Sequence, residues 1–308
     1  MTITQLEYIV AVDTYRHFVT ASEQCFVTQP TLSMQIQKLE EELGVKIFDR
    51  TKQPVIPTEI GATIIAQARV ILREAKMVSQ IISDQKDTLA GELRIGIIPT
   101  IAPYLLPSLY KHAREKYPQV ELVISELITE EIIHELKNNR LDCGIVVTPL
   151  KDVSINEDVL FYEELYVYVS KKNSLVDKKY VLANEIDPGQ LWVLEEGHCF
   201  RSQVLNLCEL RKSSVLQFKT GNIETLKRMV DKSDGITILP EMAVMEFSKP
   251  ELRLVKRLKG GPVREVSLVT HRDYLKSRLI KALKEVILEV VPAPMQKLRD
   301  KKVVEVDF

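Results

Sequence analysis

The sequence predicts a small N-terminal all-α module carrying a two-stranded wing, one long linker helix, and a larger α/β domain of two lobes. Three observations predict this fold class. Three helix starts crowd into the first 44 residues, apolar residues recur at near-heptad spacing over 60–82, and strands alternate with helices after Gly91. The predicted boundaries are 1–58 for the module, 59–90 for the linker helix, 91–300 for the two-lobed domain and 301–308 for a charged tail.

The composition is that of a globular chain: 45% of its 308 residues are hydrophobic and 28% are charged, which excludes a disordered or fibrous protein. The net charge is −1, so any contact with nucleic acid must be local. No secretion signal opens the chain and no apolar run reaches the ~18 residues of a membrane span, so we expect a cytoplasmic protein with no membrane partner. Four cysteines are too few for a disulfide scaffold, and any pair that bridges in the cytosol is expected to be a switch.

Two capping-box patterns open the N-terminal module. Thr4 is followed by Glu7, and Thr20 by Glu23. A hydroxyl and a carboxylate at this spacing can satisfy the free backbone amides of a helix start reciprocally. We therefore expect two short helices to begin at these positions.

A third helix completes the module. We expect it to begin after Thr28, to tolerate Pro30 in its first turn and to end at Gly44. Residues 26–27 then form the turn of a helix-turn-helix, although a small helical packing module is the alternative. One side of the third helix carries an apolar stripe at helical spacing, formed by Leu32, Ile36, Leu39 and Leu43.

The opposite side of the third helix carries neutral donors and acceptors rather than the charges typical of a solvated face. Such groups read base edges in the major groove, so the expected partner is double-stranded DNA. The predicted base-facing residues are Gln29, Pro30, Thr31, Ser33, Met34, Gln37 and Lys38. Residues 45–55 then alternate loosely around Arg50 and Lys52, which predicts a wing whose cations contact phosphates, unless the hairpin is incidental.

From Thr58 onward, apolar residues recur every three or four positions, as in helices that pair with a second copy. Packing on the helix's own domain is the alternative. Pairing would give a dimer that reads two half-sites on DNA. The predicted dimerisation residues are Ile60, Ile64, Ala68, Ile71, Ala75 and Val78.

After Gly91 the pattern predicts two sets of mostly parallel strands with helices between them, hence two lobes with a cleft. The first set has predicted strands over 93–98, 120–126 and 143–147, and helices ending at 117 and covering 131–139. The second set has predicted strands over 166–169, 191–194, 236–239 and 266–270, and helices over 223–230 and 275–288. Residues 292–308 are charged and weakly periodic, so we expect a loosely held tail.

Residues 18–50 resemble the winged helix-turn-helix of LysR-type transcriptional regulators, on the strength of Ala21-Ser22, the run 28–33, Gln35-Ile36 and Leu43-Gly44. The resemblance covers nearly the whole chain, because a linker helix and a two-lobed effector domain similar to periplasmic binding proteins complete that family's layout. It implies a homodimer or homotetramer on DNA that contacts RNA polymerase. It implies neither an enzyme nor a bound metal or cofactor.

Within that family, three segments are similar to members that activate oxidative-stress genes in response to hydrogen peroxide. They are 98–100 with 103–107, then 197–201 with Cys208, and finally 226–230 with 235–236 and 239–240. The resemblance implies that Cys199 and Cys208 form a redox-active disulfide, which a cytosolic reductant of the glutaredoxin or thioredoxin type would reverse. Ser202 departs from that pattern, and the stretch 209–217 is shorter than in those members.

The resemblance also implies a peroxide-binding set beside Cys199, made up of Thr100, Thr129, His198 and Arg201. A sensor thiol must be stabilised as its thiolate, so Arg201 is expected to supply fixed charge and His198 a hydrogen bond. Cys208 lies nine positions after Cys199, which is ~13 Å along a helix, whereas a disulfide needs Cα atoms within ~7 Å. If the segment is helical when reduced, bridging must refold it.

Two alternatives remain open at this point. A LysR-type regulator could bind a small metabolite between its lobes, with both cysteines incidental, or an enzyme could use Cys199 and Cys208 as a thiol peroxidase. The metabolite would leave the cluster 197–201 unexplained, and the enzyme would leave the base-reading helix unexplained. Cys25 and Cys143 are expected to be structural.

Overall fold

The computed structural model describes residues 1–83, 89–208, 216–217, 221–272, 274, 277–298 and 303–304. The chain divides into two compact units, Met1–Thr88 and Leu89–Phe308. In these described ranges, no helix combines the length and the apolar character needed to cross a membrane.

The N-terminal unit consists of three short helices, a two-stranded wing and a long fourth helix. Helices α1 to α4 span Ile3–Tyr15, Phe18–Gln24, Gln29–Leu43 and Glu59–Ser83. The antiparallel wing strands β1 and β2 are Phe48–Asp49 and Ile56–Pro57. Thr28 precedes α3 and Gly44 ends it at a φ of 69°, a left-handed conformation that favours glycine, as predicted.

The two predicted capping boxes are wrong. The N-cap of α1 is Thr2, two residues before the predicted Thr4. Thr2 and Gln5 bond each other's backbone amides reciprocally, so Thr4 lies inside the helix. Helix α2 is capped by His17, whose ring nitrogen accepts from the amide of Thr20 at 3.5 Å. In both helices an alternative cap lies two or three residues upstream of the predicted one.

The second unit is built on one eight-stranded mixed sheet, and two further strands, 192–193 and 216–217, form a separate parallel pair. Strands β3 to β12 span Gly91–Ile97, Val120–Glu126, Cys143–Thr148, Ile155–Val169, Tyr180–Val181, Trp192–Val193, Leu216–Gln217, Ile236–Pro240, Val255–Leu258 and Val263–His271. Helices α5 to α11 span Ala102–Lys116, Thr129–Lys137, Cys199–Leu207, Ile223–Lys232, Glu241–Met245, Lys249–Leu252 and Ser277–Val290. The predicted helix start at 275 lies outside the described residues.

The strand order of this sheet is β4-β3-β5-β12-β6-β11-β7, and β10 also pairs with β6. Strand β3 is parallel to β4 and β5, but β12 is antiparallel to both β5 and β6, and β10 and β11 are antiparallel to β6. The expectation of mostly parallel strands is therefore wrong. Its physical reason is that β6 continues from the first lobe into the second, and β12 runs back beside it in the opposite direction.

Each lobe has its own apolar core. The first lobe packs α5, α6 and α11 on β3, β4, β5 and β12, and its core includes Ile95, Ile97, Ile145, Phe161 and Val286. The second lobe packs α7 and α8 around the second half of β6 and β10, and its core includes Leu165, Val167, Phe200, Leu226 and Ile238. The predicted division into two lobes is confirmed.

Parts of the predicted loose tail are held in place. A 3-10 helix covers Ala293–Gln296, and Met295 is buried in the first lobe's core. Val303 pairs with Val263, and Val304 is buried in the second lobe's core. The expectation is wrong for these residues because Met295 and Val304 supply apolar side chains to the cores. The other tail residues beyond 298 lie outside the described residues.

Candidate functional site

Helix α7 carries Cys199 and Cys208 at its two ends. Cys199 is its first residue and Cys208 its C-terminal cap. Both are free thiols, with Cys199 buried in the first lobe's core and Cys208 in the second lobe's core. A disulfide between them requires Cα atoms within ~7 Å, and nine helical positions span ~13 Å. A bridge therefore requires α7 to unwind.

Burial raises the pKa of the Cys199 thiol, while the Thr129 hydroxyl, the Arg264 guanidinium and the backbone amides of Cys199 and Phe200 oppose that rise. The amides act on the sulfur because the first N–H groups of a helix have no intrahelical acceptor. The net direction is upward, so burial outweighs the groups that favour the thiolate. Burial alone raises the pKa of Cys208 to about 12.

Arg264 is the cation that acts on this site. The side chain is fully buried, and its Nη1 donates to Thr100 Oγ1 at 2.9 Å and its Nη2 to the Thr100 carbonyl at 3.1 Å. Its Nε donates to Glu163 Oε2 at 2.7 Å, and the guanidinium lies 5.2 Å from the centre of the Phe200 ring. Strand β12 thus presents Arg264 to the end of β3, to β6 and to α7.

Arg201, the residue expected to supply this charge, has a different bonding partner in the structure, and its role at the thiolate stays a prediction. Arg201 Nη1 donates to the carbonyl of Leu194 at 2.7 Å, and its buried Nε has no partner among the described residues. Residues two positions apart on a helix face different directions, so a helix beginning at Cys199 directs Arg201 elsewhere. Arg264 and Glu163 were missed from the sequence. The signal that could have found them is a charge within an otherwise apolar strand pattern.

Two buried threonines belong to this site. Thr100 follows β3, and its hydroxyl accepts from Arg264. Thr129 begins α6, and its buried hydroxyl is close enough to the Cys199 sulfur to lower the thiol's pKa, yet it has no hydrogen bond of normal geometry within the described ranges. Such a hydroxyl is able to bond a small polar molecule beside the sulfur.

His198 precedes α7 and is also buried. Its Nε2 lies 3.9 Å from Glu195 Oε1, and burial lowers its pKa, opposed by the charges of Glu195 and Glu126. A Cβ at Gly221 would lie only 2.7 Å from His198 Nε2, so the ring occupies space that only a glycine at 221 leaves. The predicted bond from His198 to the thiolate or to peroxide stays a prediction.

A direct contact joins the two lobes near this site. Tyr104, from α5 in the first lobe, donates its hydroxyl to Glu224 at 2.8 Å, and Glu224 belongs to α8 in the second lobe. Glu163 also accepts from the backbone amide of Met242 at 3.0 Å, which ties β6 to the start of α9. The cysteine site is therefore enclosed by elements of both lobes.

The N-terminal unit presents most of the predicted base-facing set to solvent. Pro30, Thr31, Met34, Gln37 and Lys38 are exposed, whereas Gln29 and Ser33 are partly buried. Lys52 is exposed on the wing.

Arg50 is held against α3 rather than pointing freely outward. It donates to Ser33 Oγ at 3.1 Å and to Glu40 Oε2 at 3.4 Å, and it lies 5.0 Å from the centre of the Phe18 ring. Glu40, to which the sequence analysis gave no role, is buried and accepts the backbone amide of Ile47 at 2.8 Å. Glu40 thus fastens the wing to the predicted recognition helix.

The predicted dimerisation residues on α4 have different environments. Ala68 is buried in the core of its own unit, so its assignment to a dimer contact is wrong; its small side chain packs with Ile65 in that core. Ile64 and Ile71 are partly buried on the same core, and Ala75 is also partly buried. Ile60 and Val78 are 48% and 62% exposed and remain available to a partner.

Each of the two units matches a known protein family. Residues 3–62 match the family model for bacterial regulatory helix-turn-helix proteins of the lysR family, and residues 86–292 match that for the LysR substrate binding domain. The chain is 36% identical to the hydrogen peroxide-inducible genes activator of Haemophilus influenzae, over 87% of this chain and 90% of that protein. It is 34% identical to the DNA-binding transcriptional dual regulator OxyR of Escherichia coli, over 98% of both chains.

A solved structure of an OxyR protein also matches the chain. The full-length structure of an OxyR variant from Pseudomonas aeruginosa superposes with a TM-score of 0.78 at 32% identity, covering 94% of this chain and 98% of that one. Both units of the chain thus match one family of regulators in sequence and in fold. The chain belongs to the LysR family of bacterial helix-turn-helix proteins, which are transcription regulators rather than enzymes.

Proposed function

We propose that the chain is a hydrogen-peroxide-sensing transcription regulator, switched by a disulfide between Cys199 and Cys208. The observation that carries this proposal is the placement of the two free thiols at opposite ends of α7 and in the cores of different lobes. A covalent bond between them cannot form without refolding the helix. The names of the peroxide-responsive relatives support the same assignment.

The first step oxidises Cys199. Its sulfur, as the thiolate, attacks one oxygen of hydrogen peroxide, an S–O bond forms and the O–O bond breaks. The departing hydroxide takes up the proton lost by the thiol and leaves as water, so sulfur is oxidised to the sulfenic acid and the peroxide is reduced. We assign to Arg264 and Thr100 the stabilisation of the negative charge that develops on the departing oxygen, and to Thr129 the orientation of the peroxide; their contacts with each other and with Cys199 support this assignment.

The second step forms the switch. The Cys208 sulfur attacks the sulfenic sulfur, the S–S bond forms, the S–O bond breaks and a second water leaves. Because burial holds the pKa of Cys208 at about 12, it becomes a competent nucleophile only when its end of α7 opens. Refolding of α7 then changes how the regulatory domains meet.

The remaining parts of the proposal concern partners. We propose that the regulator binds double-stranded DNA as a homodimer or homotetramer, through the exposed face of α3 and through Lys52, and that it contacts RNA polymerase. A thiol reductant of the glutaredoxin or thioredoxin class would return the disulfide to two thiols. Lys52→Ala is expected to weaken binding to all DNA sequences and to reduce the salt slope by about one unit.

The test is peptide mapping by mass spectrometry after one equivalent of hydrogen peroxide. We expect a linked peptide of Cys199 and Cys208 in the unmodified chain, no peroxide response in Cys199→Ser, and a sulfenic or over-oxidised Cys199 in Cys208→Ser. A full transcriptional response in Cys199→Ser, or no linked peptide, would favour a regulator controlled by a metabolite between its lobes.

A further inference from the structure

The C-terminal residues Val303 and Val304 contact the helix that the proposed switch must unwind. Gln203 Nε2, in the middle of α7, donates to the carbonyl of Val304 at 3.2 Å. The amide of Val304 donates to the carbonyl of Val263 at 2.8 Å, and Val303 forms a parallel bridge with Val263. A short strand near the C-terminus therefore connects α7 to β12.

The side chains make the same connection. Val304 is 7% exposed and belongs to the apolar cluster that also holds Phe200, Val204 and Cys208. Packing of Val304 therefore depends on the helical positions of α7. If those positions change, Val304 loses part of its apolar environment.

Gln203 is an unusual residue for this position. Its side chain is fully buried, and its Oε1 has no hydrogen-bond partner among the described residues. Without the Gln203 donor the buried Val304 carbonyl would lose this bond, and an unpaired buried acceptor costs stability. The donated bond to Val304 is thus a specific contact of the helical state of α7.

We infer that residues 303–304, here called the C-terminal clamp, hold α7 helical in the reduced protein, and that Gln203 is the positioning residue through which the clamp acts. This inference rests on the proposed Cys199–Cys208 switch. Gln203 lies between the two cysteines, so the refolding that joins them must break its bond to Val304. The clamp then stabilises the dithiol and not the disulfide, which makes the disulfide easier to reduce.

The experiment compares two truncations of the full chain. One ends after residue 302 and lacks the clamp, and the matched control ends after residue 306, so that it keeps the clamp and the Val304 carbonyl stays a peptide carbonyl. The midpoint potential is measured in redox buffers by trapping thiols and counting linked peptides. We expect the control to match the full chain and the clamp deletion to favour the disulfide about tenfold, a midpoint about 30 mV more negative.

A second variant guards against a general loss of folding. Gln203→Leu keeps the buried volume but removes the bond to Val304, and we expect its midpoint to move in the same direction by a smaller amount. The rate of sulfenic acid formation at Cys199 is also measured in the Cys208→Ser background. We expect the rates with and without the clamp to differ by less than twofold.

Three results would overturn the inference. Equal midpoints for both truncations, a less negative midpoint on clamp removal, or a changed Cys199 oxidation rate with an unchanged midpoint would each show that the clamp does not restrain α7. All three presuppose that the disulfide forms. Its absence from the full chain would instead overturn the proposed function.

Discussion

At the scale of single residues, the site depends on a guanidinium that arrives from far along the chain. Arg264 is held by three acceptor contacts, to Thr100 Oγ1, to the Thr100 carbonyl and to Glu163. These contacts orient the cation before any substrate binds, so no reorganisation is needed while charge develops. Removing Arg264 outright would leave the carboxylate of Glu163 buried without its cation, so a conservative substitution tests its chemistry best.

Arg264→Lys is expected to slow sulfenic acid formation at Cys199 about tenfold or more, because lysine keeps the charge but loses the planar fork that bonds Thr100 and Glu163 together. Stopped-flow oxidation in the Cys208→Ser background measures this rate. Arg201→Lys is the matched control, since Arg201 bonds the Leu194 carbonyl, and it should change the rate less than threefold. Equal slowing by both variants would contradict the assignment of Arg264.

The lowered pKa of His198 predicts a stability effect with a definite sign. Since burial depresses the pKa below the ~6.5 of the unfolded chain, the folded protein binds fewer protons, and its stability falls as the pH drops below that value. The melting temperature of the unmodified chain should therefore fall more between pH 7.5 and 5.5 than that of His198→Gln. Parallel melting curves for the two proteins would show that His198 does not titrate in this way.

Among the elements, α7 is the short helix that the proposed disulfide between its two ends would unfold. Only nine residues form it, Cys199–Leu207, so its stability comes mainly from packing rather than from its own backbone hydrogen bonds. Small changes in helix propensity at an exposed position should therefore shift the balance between dithiol and disulfide. Asn206 is such a position, because it is exposed within α7.

Asn206→Gly and Asn206→Ala form a matched pair for this purpose. Glycine disfavours a helix interior by about 1 kcal/mol relative to alanine, so we expect the glycine variant to favour the disulfide about fivefold more than the alanine variant. Titration of both proteins in the same redox buffers gives the ratio. A ratio near one would mean that α7 stays helical in the oxidised protein.

In the N-terminal unit, one buried carboxylate connects the wing to α3. Glu40 accepts the amides of Ile47 and Phe48 and contacts the cations of Lys46 and Arg50. Glu40→Ala leaves two buried amides unpaired and should cost about 2–4 kcal/mol of stability. We expect it to weaken binding to operator and random DNA alike, measured by fluorescence anisotropy, whereas Ser33→Ala should change base preference. A Glu40→Ala protein with normal melting and DNA affinity would refute the role of Glu40 as the fastening residue.

Local patterns predicted most elements, and long-range pairing accounts for the strands that were missed. The strand Val120–Glu126 and the start and end of α3 were predicted correctly, because alternation, Pro30 and Gly44 are signals within one segment. The first half of β6, together with β7 and β11, was not predicted, since their pairing partners lie far away in sequence. Cys199 was found from its neighbours, but Arg264, 65 positions later, becomes its neighbour only through β12.

The whole chain consists of two units, the helix-turn-helix unit and the unit that contains the two cysteines of α7. In the proposed regulator, oxidation in the second unit alters the DNA contacts of the first. The long helix α4 belongs to the N-terminal unit, and part of its apolar face is used by that unit's own core. The exposed residues Ile60 and Val78 lie on the same helix and are not needed for that core. We propose that these two residues, rather than Ala68, contact a second copy.

Val78→Asp should place a charge in this contact and convert the protein to a monomer that binds operator DNA at least tenfold more weakly, without lowering its melting temperature. Sedimentation velocity and anisotropy measure both effects. Ala68→Ser, buried in the N-terminal core, serves as the contrasting variant and should lower the melting temperature instead. A dimeric Val78→Asp protein with unchanged affinity would place the dimer contact elsewhere.

The separate burial of Cys199 and Cys208 also sets the direction in which the molecule relaxes. Each thiol occupies a different apolar core, so a bond between them must withdraw at least one side chain from its native packing. Under the proposed switch the oxidised protein loses part of this packing, the exergonic reduction of peroxide drives the change, and we expect the disulfide to be readily reduced. Once peroxide is gone, we therefore expect a thiol reductant to end the response, so that the reductant rather than turnover of the protein would set the length of the signal.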